Sequence, residues 1–335
     1  MPSISYLFKR LMNMNYKNFF DRVNTVSKKA NKSKFCTFCD MVWCGMRYGA
    51  GYVDYDVIGF YKLNTAQRKT MLTRGINNKF VKRLNEKEYW HIFDNKNEFN
   101  QTFSKFISRD WIYPISERKA ETLEFFKKHN VIFAKPNNGQ CGKGIEKINV
   151  SEWKVEELYN HLIDNKLELL EEPIKQHEDM NKLNPSSVNT TRMVTVMNEN
   201  GDVTILATFS RIGNGKVVDN FNSGGMTAKV DRDTGVIIEE AVNKLGEVYE
   251  KHPISQTTIK GFQIPCWKEA RAMVIEAAKL SPHVRYVGWD VAMTVDGPTL
   301  VEGNQFPGHD IYQVAEKMEE EQLGVLPEFE KAIRK

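Results

Sequence analysis

The chain has 335 residues, 41% hydrophobic and 27% charged, which is enough for two or three packed units with real cores. A net charge of +4 is too mild for general nucleic-acid affinity, so no nucleic-acid partner is expected. No apolar run reaches membrane-spanning length and no apolar h-region marks a signal peptide. With five cysteines lacking framework spacing, this predicts a cytoplasmic protein with reduced thiols.

The first 34 residues hold eight basic side chains, from Lys9 and Arg10 to Lys32 and Lys34, against Asp21 alone, a net +7. Ile4, Leu7, Phe8, Leu11 and Met12 line one helical face. The commoner fate of such a face is packing on its own protein; peripheral contact with an anionic membrane is the alternative. Cys36-x-x-Cys39 with Cys44 lacks the second ligand pair of a structural zinc site. These cysteines read as small buried hydrophobes beside Phe35, Phe38, Met41 and Trp43. Tyr48 to Tyr61 is rich in Gly and Tyr and reads as a wall or loop of an acceptor site. Phe99, Phe103, Phe106 and Ile107 are spaced for one face of a helix over Glu98–Ile107.

A short apolar strand then ends at Lys135. A loop with Gly139, Gly142 and Gly144 follows, and a second strand runs from Ile145 to Val150. Glycines let backbone N–H groups approach phosphate oxygens, and the lysine adds a point charge. No Gly-Lys-Ser/Thr opens a helix, so this is not a P-loop. Taken alone it reads equally well as a hairpin turn. Ser151 is placed to cap a helix carrying Val155, Leu158 and Leu162. The run Leu169-Leu170-Glu171-Glu172-Pro173-Ile174 is a strand that stops at two acids and a proline. Alone it is a strand end, although such a segment can offer its backbone to an adenine edge.

Strands are predicted over Thr191–Met197, Val203–Ser210 and Gly225–Val230, separated by turn signals at Asn198–Gly201 and Asp231–Gly235. Glu239–Tyr249 and Trp267–Leu280 read as helices, as does the tail Ile311–Ile333 with its solvated acids Glu319 to Glu321. The loop from Arg211 to Gly225 is rich in hydrogen-bonding groups. Backbone N–H groups at Gly224 and Gly225 could hold an oxyanion or a carboxylate.

Between these last helices, Tyr286 to Asn304 form two apolar runs around Asp296-Gly297-Pro298. Glu302 and Asn304 share one strand face. Asp290 joins that face only if the hairpin loop has an odd number of residues. A two-residue Asp296-Gly297 loop pairs Asp290 with Gly303. A three-residue loop pairs it with Glu302, or with Asn304 if shifted by one. Pro298, lacking an N–H, disfavours the shorter turn. Val287, Trp289, Val291, Leu300 and Val301 look buried, and buried carboxylates need partners. Two carboxylates and an amide oxygen suit Mg²⁺; a solvated hairpin face is the plainer alternative.

In this order the signals resemble the ATP-grasp superfamily over about residues 93–310. More narrowly, Phe38-Cys-Asp40, Tyr48-Gly49, Asp219-Asn220, Ser223-Gly224-Gly225 and Glu302-Gly-Asn304 with Pro307-Gly308 resemble its sugar-transfer-associated branch. The resemblance implies an α/β (α+β) ATP-grasp fold: an N-terminal pre-domain over 1–110, a small flap domain over 111–178, and a C-terminal antiparallel-sheet domain over 179–335. It implies ATP binding by Lys96, Lys135, Gly139, Gly142, Gly144, Glu171, Glu172 and Ile174, with Glu178 at the ribose. Mg²⁺ would be held by Asp290, Glu302 and Asn304. Arg192 and Arg211 would hold the γ-phosphate and the developing acyl phosphate, and Ser223, Gly224, Gly225 and His309 would meet the substrates. Many ligases of this kind carry an arginine two residues before the first metal Asp; here that position is Gly288, and the nearest arginine is Arg285. The implied activity is ATP-dependent ligation of a carboxylate (a sugar acid or amino acid) to an amine, in polysaccharide or amino-sugar biosynthesis, with a homodimer compatible. An ATP-grasp kinase acting on a hydroxyl and a non-catalytic nucleotide-binding scaffold are the alternatives.

Overall fold

The computed structural model describes residues 14–137, 144–215, 224–244, 246–309, 313 and 323–334. The basic segment before residue 14, Gly139, Gly142, Asp219-Asn220, Ser223 and the acids at 319–321 lie outside these. The chain divides into two units by packing. One comprises Met1–Asn85, Asn198–Asp202 and Phe306–Lys335; the other comprises Glu86–Met197 and Val203–Gln305. Residues 86–110 pack with the second unit, with Phe93, Phe99 and Phe103 against its larger sheet and Arg109 on Glu171 of its smaller one.

The first unit is helical. Helix α1 (Tyr16–Lys29) starts where the Asn15 side chain accepts from the Asn18 N–H, and α2 (Lys34–Tyr48) where Ser33 accepts from the Cys36 N–H. α2 ends at Gly49 with φ +67, a left-handed turn that glycine adopts without steric cost. Phe19, Val23 and Val26 of α1 meet Met41 and Cys44 of α2 in a core shared with Tyr55, Ile58 and Phe60. Cys36 and Cys39 lie exposed, so only Cys44 serves as the expected buried hydrophobe. Helix α3 (Arg74–Leu84) completes the first 85 residues, and α8 (Leu326–Arg334) is the described part of the tail.

The second unit holds two wholly antiparallel sheets. Helix α4 (Lys96–Thr102) covers the first part of the expected helix at 98–107. The smaller sheet contains β1 (Trp111–Ile112), β2 (Val131–Lys135), β3 (Glu146–Asn149) and β4 (Leu169–Glu171) in the order β1-β4-β2-β3. It is backed by α5 (Lys119–Lys128) and α6 (Val155–Asp164). Ser151 does not cap α6. It lies inside a 3₁₀ turn, Val150–Glu152, whose cap is Asn149. The larger sheet runs β11-β10-β5-β6-β7-β8-β9. Its strands are β5 (Thr190–Met197), β6 (Val203–Ile212), β7 (Met226–Lys229), β8 (Ala241–Asn243), β9 (Val248–Tyr249), β10 (Tyr286–Thr294) and β11 (Gly297–Asn304). The helix expected over Glu239–Tyr249 is instead the hairpin of β8 and β9, turned by Asn243 and Gly246, whose φ is +85.

Cross-strand partners fix which residues share a face. On one face, Met193, Val287, Trp289, Val291, Met293 and Leu300 pack against α7 (Trp267–Lys279) and against Phe93, Phe99 and Phe103. The ring of Trp289 sits edge-on to Phe103, with centroids 5.1 Å apart. The opposite face carries the charged residues.

Candidate active site

The β10–β11 hairpin closes through a two-residue turn, Val295-Asp296, since Thr294 pairs with Gly297. Continued without interruption, that register would set Asp290 opposite Val301. A bulge at Val301 adds the missing residue, so Asp290 pairs with Glu302 and Gly288 with Asn304. The expected three-residue loop is therefore absent, yet the convergence it was invoked to explain is achieved by the bulge. Pro298 is tolerated because β11 is an edge strand.

Asp290 also pairs across β10–β5 with Arg192, and Arg211 lies two residues beyond Phe209, the β6 partner of Arg192. All these side chains project from one face. Arg192 Nη2 donates to Asp290 Oδ2 at 2.9 Å and its Nε to Oδ1; Arg211 Nη1 donates to Oδ2. Two neighbouring strands, β5 and β6, thus supply arginines to Asp290, while Gly288 pairs with Asn304. Asp290 is 1% exposed. Burial acts to raise its pKa, but the two guanidinium groups overcome this and hold it well below the usual carboxylate range. Glu302 moves the other way, up to about 7: burial comes first, then repulsion from Asp290, whose carboxylate accepts the Glu302 proton. Its outer surface remains open to solvent, so the repulsion is the firmer cause.

A carboxylate has about four acceptor positions. Three on Asp290 take arginine N–H groups and the fourth takes the Glu302 proton. Asp290 and Glu302 would hold a divalent cation in place of that proton, and its charge would offset the repulsion between the two carboxylates. Asn304 Nδ2 is buried with no partner among the described residues. Exchanging amide N and O aims an oxygen at the same place. The donor set therefore fits a hard cation.

Lys96 opens α4. Its backbone N–H bonds Asn137 O at 3.3 Å, and Asn97 N–H bonds Asn137 Oδ1 at 3.2 Å, which clamps the start of the Gly-rich loop to this helix. Burial and the Lys135 ammonium together lower the pKa of Lys96, while Glu302 and Glu171 act to raise it. Lys135, at the end of β2, donates to Glu171 Oε2. Glu171 is 3% exposed and accepts from Arg109 at 2.9 Å and Asn100 at 3.0 Å through Oε1. Burial opposes its charge, but Arg109 and Lys135 keep it ionised. Five cations (Lys96, Arg109, Lys135, Arg192, Arg211) thus face three carboxylates (Glu171, Asp290, Glu302) among the described residues. The surplus is positive, as an anionic ligand requires.

The profile of the family described as sugar-transfer associated ATP-grasp matches residues 75–323. The chain belongs to that family. Its fold is the ATP-grasp fold, mixed helix and antiparallel sheet. No curated protein matches in sequence. Among solved structures, the chain is similar to the biotin carboxylase domain of Hydrogenobacter thermophilus 2-oxoglutarate carboxylase, solved with MgADP, ADP and bicarbonate. Identity there is 12% and the TM-score 0.42, covering 65% of this chain and 41% of that one. It is also similar to the D-alanine-D-alanine ligase of Coxiella burnetii (10%, TM-score 0.38, 65% and 49%). A third is N5-carboxyaminoimidazole ribonucleotide synthetase of Thermotoga maritima (11%, TM-score 0.39, 66% and 44%). The chain spans half or less of each of these proteins.

The remaining expected ATP-grasp residues are dispersed. Gly144 takes φ +74 beside Pro136. Glu171 does not present its carboxylate to a ligand, because Arg109, Asn100 and Lys135 occupy it. Its backbone is flanked by Trp111 and Phe133 in the ladder. The Glu172 N–H bonds Asp110 O at 2.9 Å, and Ile174 is half-buried. Glu178 is exposed at the start of a helical turn, Glu178–Leu183. Gly224 and Gly225 lead into β7, where Thr227 pairs with Arg211. His309 belongs to the other unit, where it bonds Asp54 at 2.9 Å. Sequence reasoning missed Arg109 and Asn100, whose positions carry no motif, and Thr227, whose buried hydroxyl has no partner among the described residues and lies on the charged face.

Proposed function

We propose that the protein is an ATP-dependent carboxylate–amine ligase working through an acyl phosphate. The observation that carries this reading is the convergence of Arg192 and Arg211 on Asp290 beside Glu302, with Lys96 within electrostatic reach of both Glu302 and the Lys135–Glu171 pair. Mg²⁺ held by those last three would neutralise triphosphate charge when bound. Lys96 and Lys135 hold the phosphates as point charges. Arg192 and Arg211 stabilise the charge that develops as a substrate carboxylate oxygen takes the γ-phosphoryl group. An amine then displaces phosphate to leave an amide, ADP and Pi. Gly224 and Gly225, which lead into β7 beside Arg211, would border the substrate carboxylate. The family's association with sugar transfer supports the reading that the substrates are a sugar acid, amino acid or amino sugar of polysaccharide synthesis.

The test is ³¹P NMR of the protein with Mg-ATP, a panel of sugar acids and amino acids, and hydroxylamine as a general amine. ADP, Pi and a hydroxamate together support carboxylate activation and name the acid. A phosphoester without hydroxamate makes the protein a kinase. No turnover with any acid, alongside retained nucleotide binding, makes it a scaffold.

A further inference from the structure

A surface helix usually buries one apolar face and turns a polar one to water. α2 departs from this. Its buried face carries Thr37, Met41 and Cys44. Its opposite face carries Phe35, Cys39, Val42, Trp43 and Met46, spaced i, i+4, i+7, i+8 and i+11, and all are exposed. Phe35 is 76% exposed and Trp43 54%. Phe38 lies beside this line, and the exposed ring of Phe20 from α1 stacks on it with centroids 6.3 Å apart. Tyr16, also exposed, is one turn before Phe20. Single exposed apolar side chains are ordinary, but an unbroken stripe marks an interaction surface. The nucleotide and metal residues all belong to the other unit, so they give this stripe no role.

Charge selects the occupant. Lys32 and Lys34 precede Phe35, Arg47 follows Met46, Lys17 follows Tyr16, and Lys28 lies in the last turn of α1; all five are exposed. The acids of this stretch are Asp21 and Asp40, and Asp40 is held by Arg68 at 2.7 Å. Two copies meeting through this face would set lysine against lysine, which disfavours self-association. An anionic bilayer matches it: aromatic rings settle at the headgroup–acyl boundary while lysines meet the lipid phosphates.

We propose that the outer face of α2, with Tyr16 and Phe20 of α1, docks the protein on an anionic membrane leaflet. Full-length protein is expected to co-sediment with vesicles of phosphatidylcholine plus phosphatidylglycerol and not with phosphatidylcholine alone. The double variant Phe35→Ser/Trp43→Ser is expected to weaken partitioning by at least about tenfold, with circular dichroism and thermal unfolding unchanged because both side chains are exposed. Should that pair fail to fold, Lys32→Glu/Lys34→Glu supplies the same test, expected to weaken binding at low salt. Absence of vesicle binding, equal binding to both lipids, or binding untouched by these variants overturns the proposal. So does a dimer in light scattering that the aromatic pair dissolves, which would assign the face to a second copy.

Discussion

Glu302 is raised to about 7 chiefly because the neighbouring Asp290 charge opposes its ionisation. The folded pKa lies above the ordinary value of 4.5, so the folded state binds more protons between those limits. The contribution to stability is complete below about 4.5 and is lost as pH rises through about 7. Metal-free protein is therefore expected to lose more melting temperature between about pH 5 and pH 8 than Glu302→Gln does, and Mg²⁺ to restore the wild type at the upper end. Scanning calorimetry of both proteins checks this; parallel pH curves would refute it. Glu171 offers a second residue-scale contrast. Lys135→Met leaves Glu171 with Arg109 and Asn100, so the expected result is ADP binding weaker by about ten- to a hundredfold with modest destabilisation. Arg109→Met strips the buried carboxylate of its main partner and is expected to cost about 3–5 kcal/mol. Urea melts and ADP calorimetry separate the two effects.

Among elements, β11 shows how a local detail sets a site. Gly303 lies between the two ligand residues on the core-facing side of the strand, where an added Cβ would come within 2.8 Å of Phe93 and 2.9 Å of Phe99. Gly303→Ala is expected to lift the strand off these rings, costing about 1–3 kcal/mol. Mn²⁺ affinity should fall further than stability, since Glu302 and Asn304 move with the backbone; paired Mn²⁺ titrations and thermal melts read the two effects. Strands β2 to β7, β10 and β11 were legible as apolar runs bounded by turn residues, and Asp290 and Glu302 as acids set among buried neighbours. The Val301 bulge was not legible, because an extra residue in a ladder has no composition of its own. Its effect is visible only in the cross-strand pairing. The 241–249 hairpin was misread because its acids and apolar residues also satisfy a helical period, and the turn at Asn243 and Gly246 decided otherwise. Ser151 has the right chemistry for a cap, but it lies inside a 3₁₀ turn capped by Asn149, and the helix starts later, after Lys154.

For the whole molecule, sequence order is a poor guide to the helical unit, which is assembled from three separate segments. The tail returns to it through contacts far apart in the chain. Asn77 Nδ2 bonds Pro307 O at 3.0 Å, Gln313 Nε2 bonds Leu72 O at 2.7 Å, and His309 Nε2 meets Asp54. No local pattern predicts such pairings, so the adjacency of His309 to Asn304 suggested a substrate contact instead. Asp54 also accepts the backbone N–H groups of Gly51 and Arg74, each at 2.9 Å. Burial opposes its charge, and the His309 hydrogen bond heads the effects that keep it ionised. His309→Ala removes that partner from a carboxylate that stays buried, with an expected loss of about 2–4 kcal/mol. His309→Gln retains a donor and should recover about half of it. ADP affinity, which the proposed function assigns to residues of the other unit, should stay within about twofold for both variants at temperatures where they are folded. A substrate-binding His309 would give the reverse pattern: unchanged urea melts with a raised KM in whatever turnover the acid panel reveals. The two outcomes assign the segment after Glu302-Gly-Asn304 either to holding the helical unit together or to the chemistry.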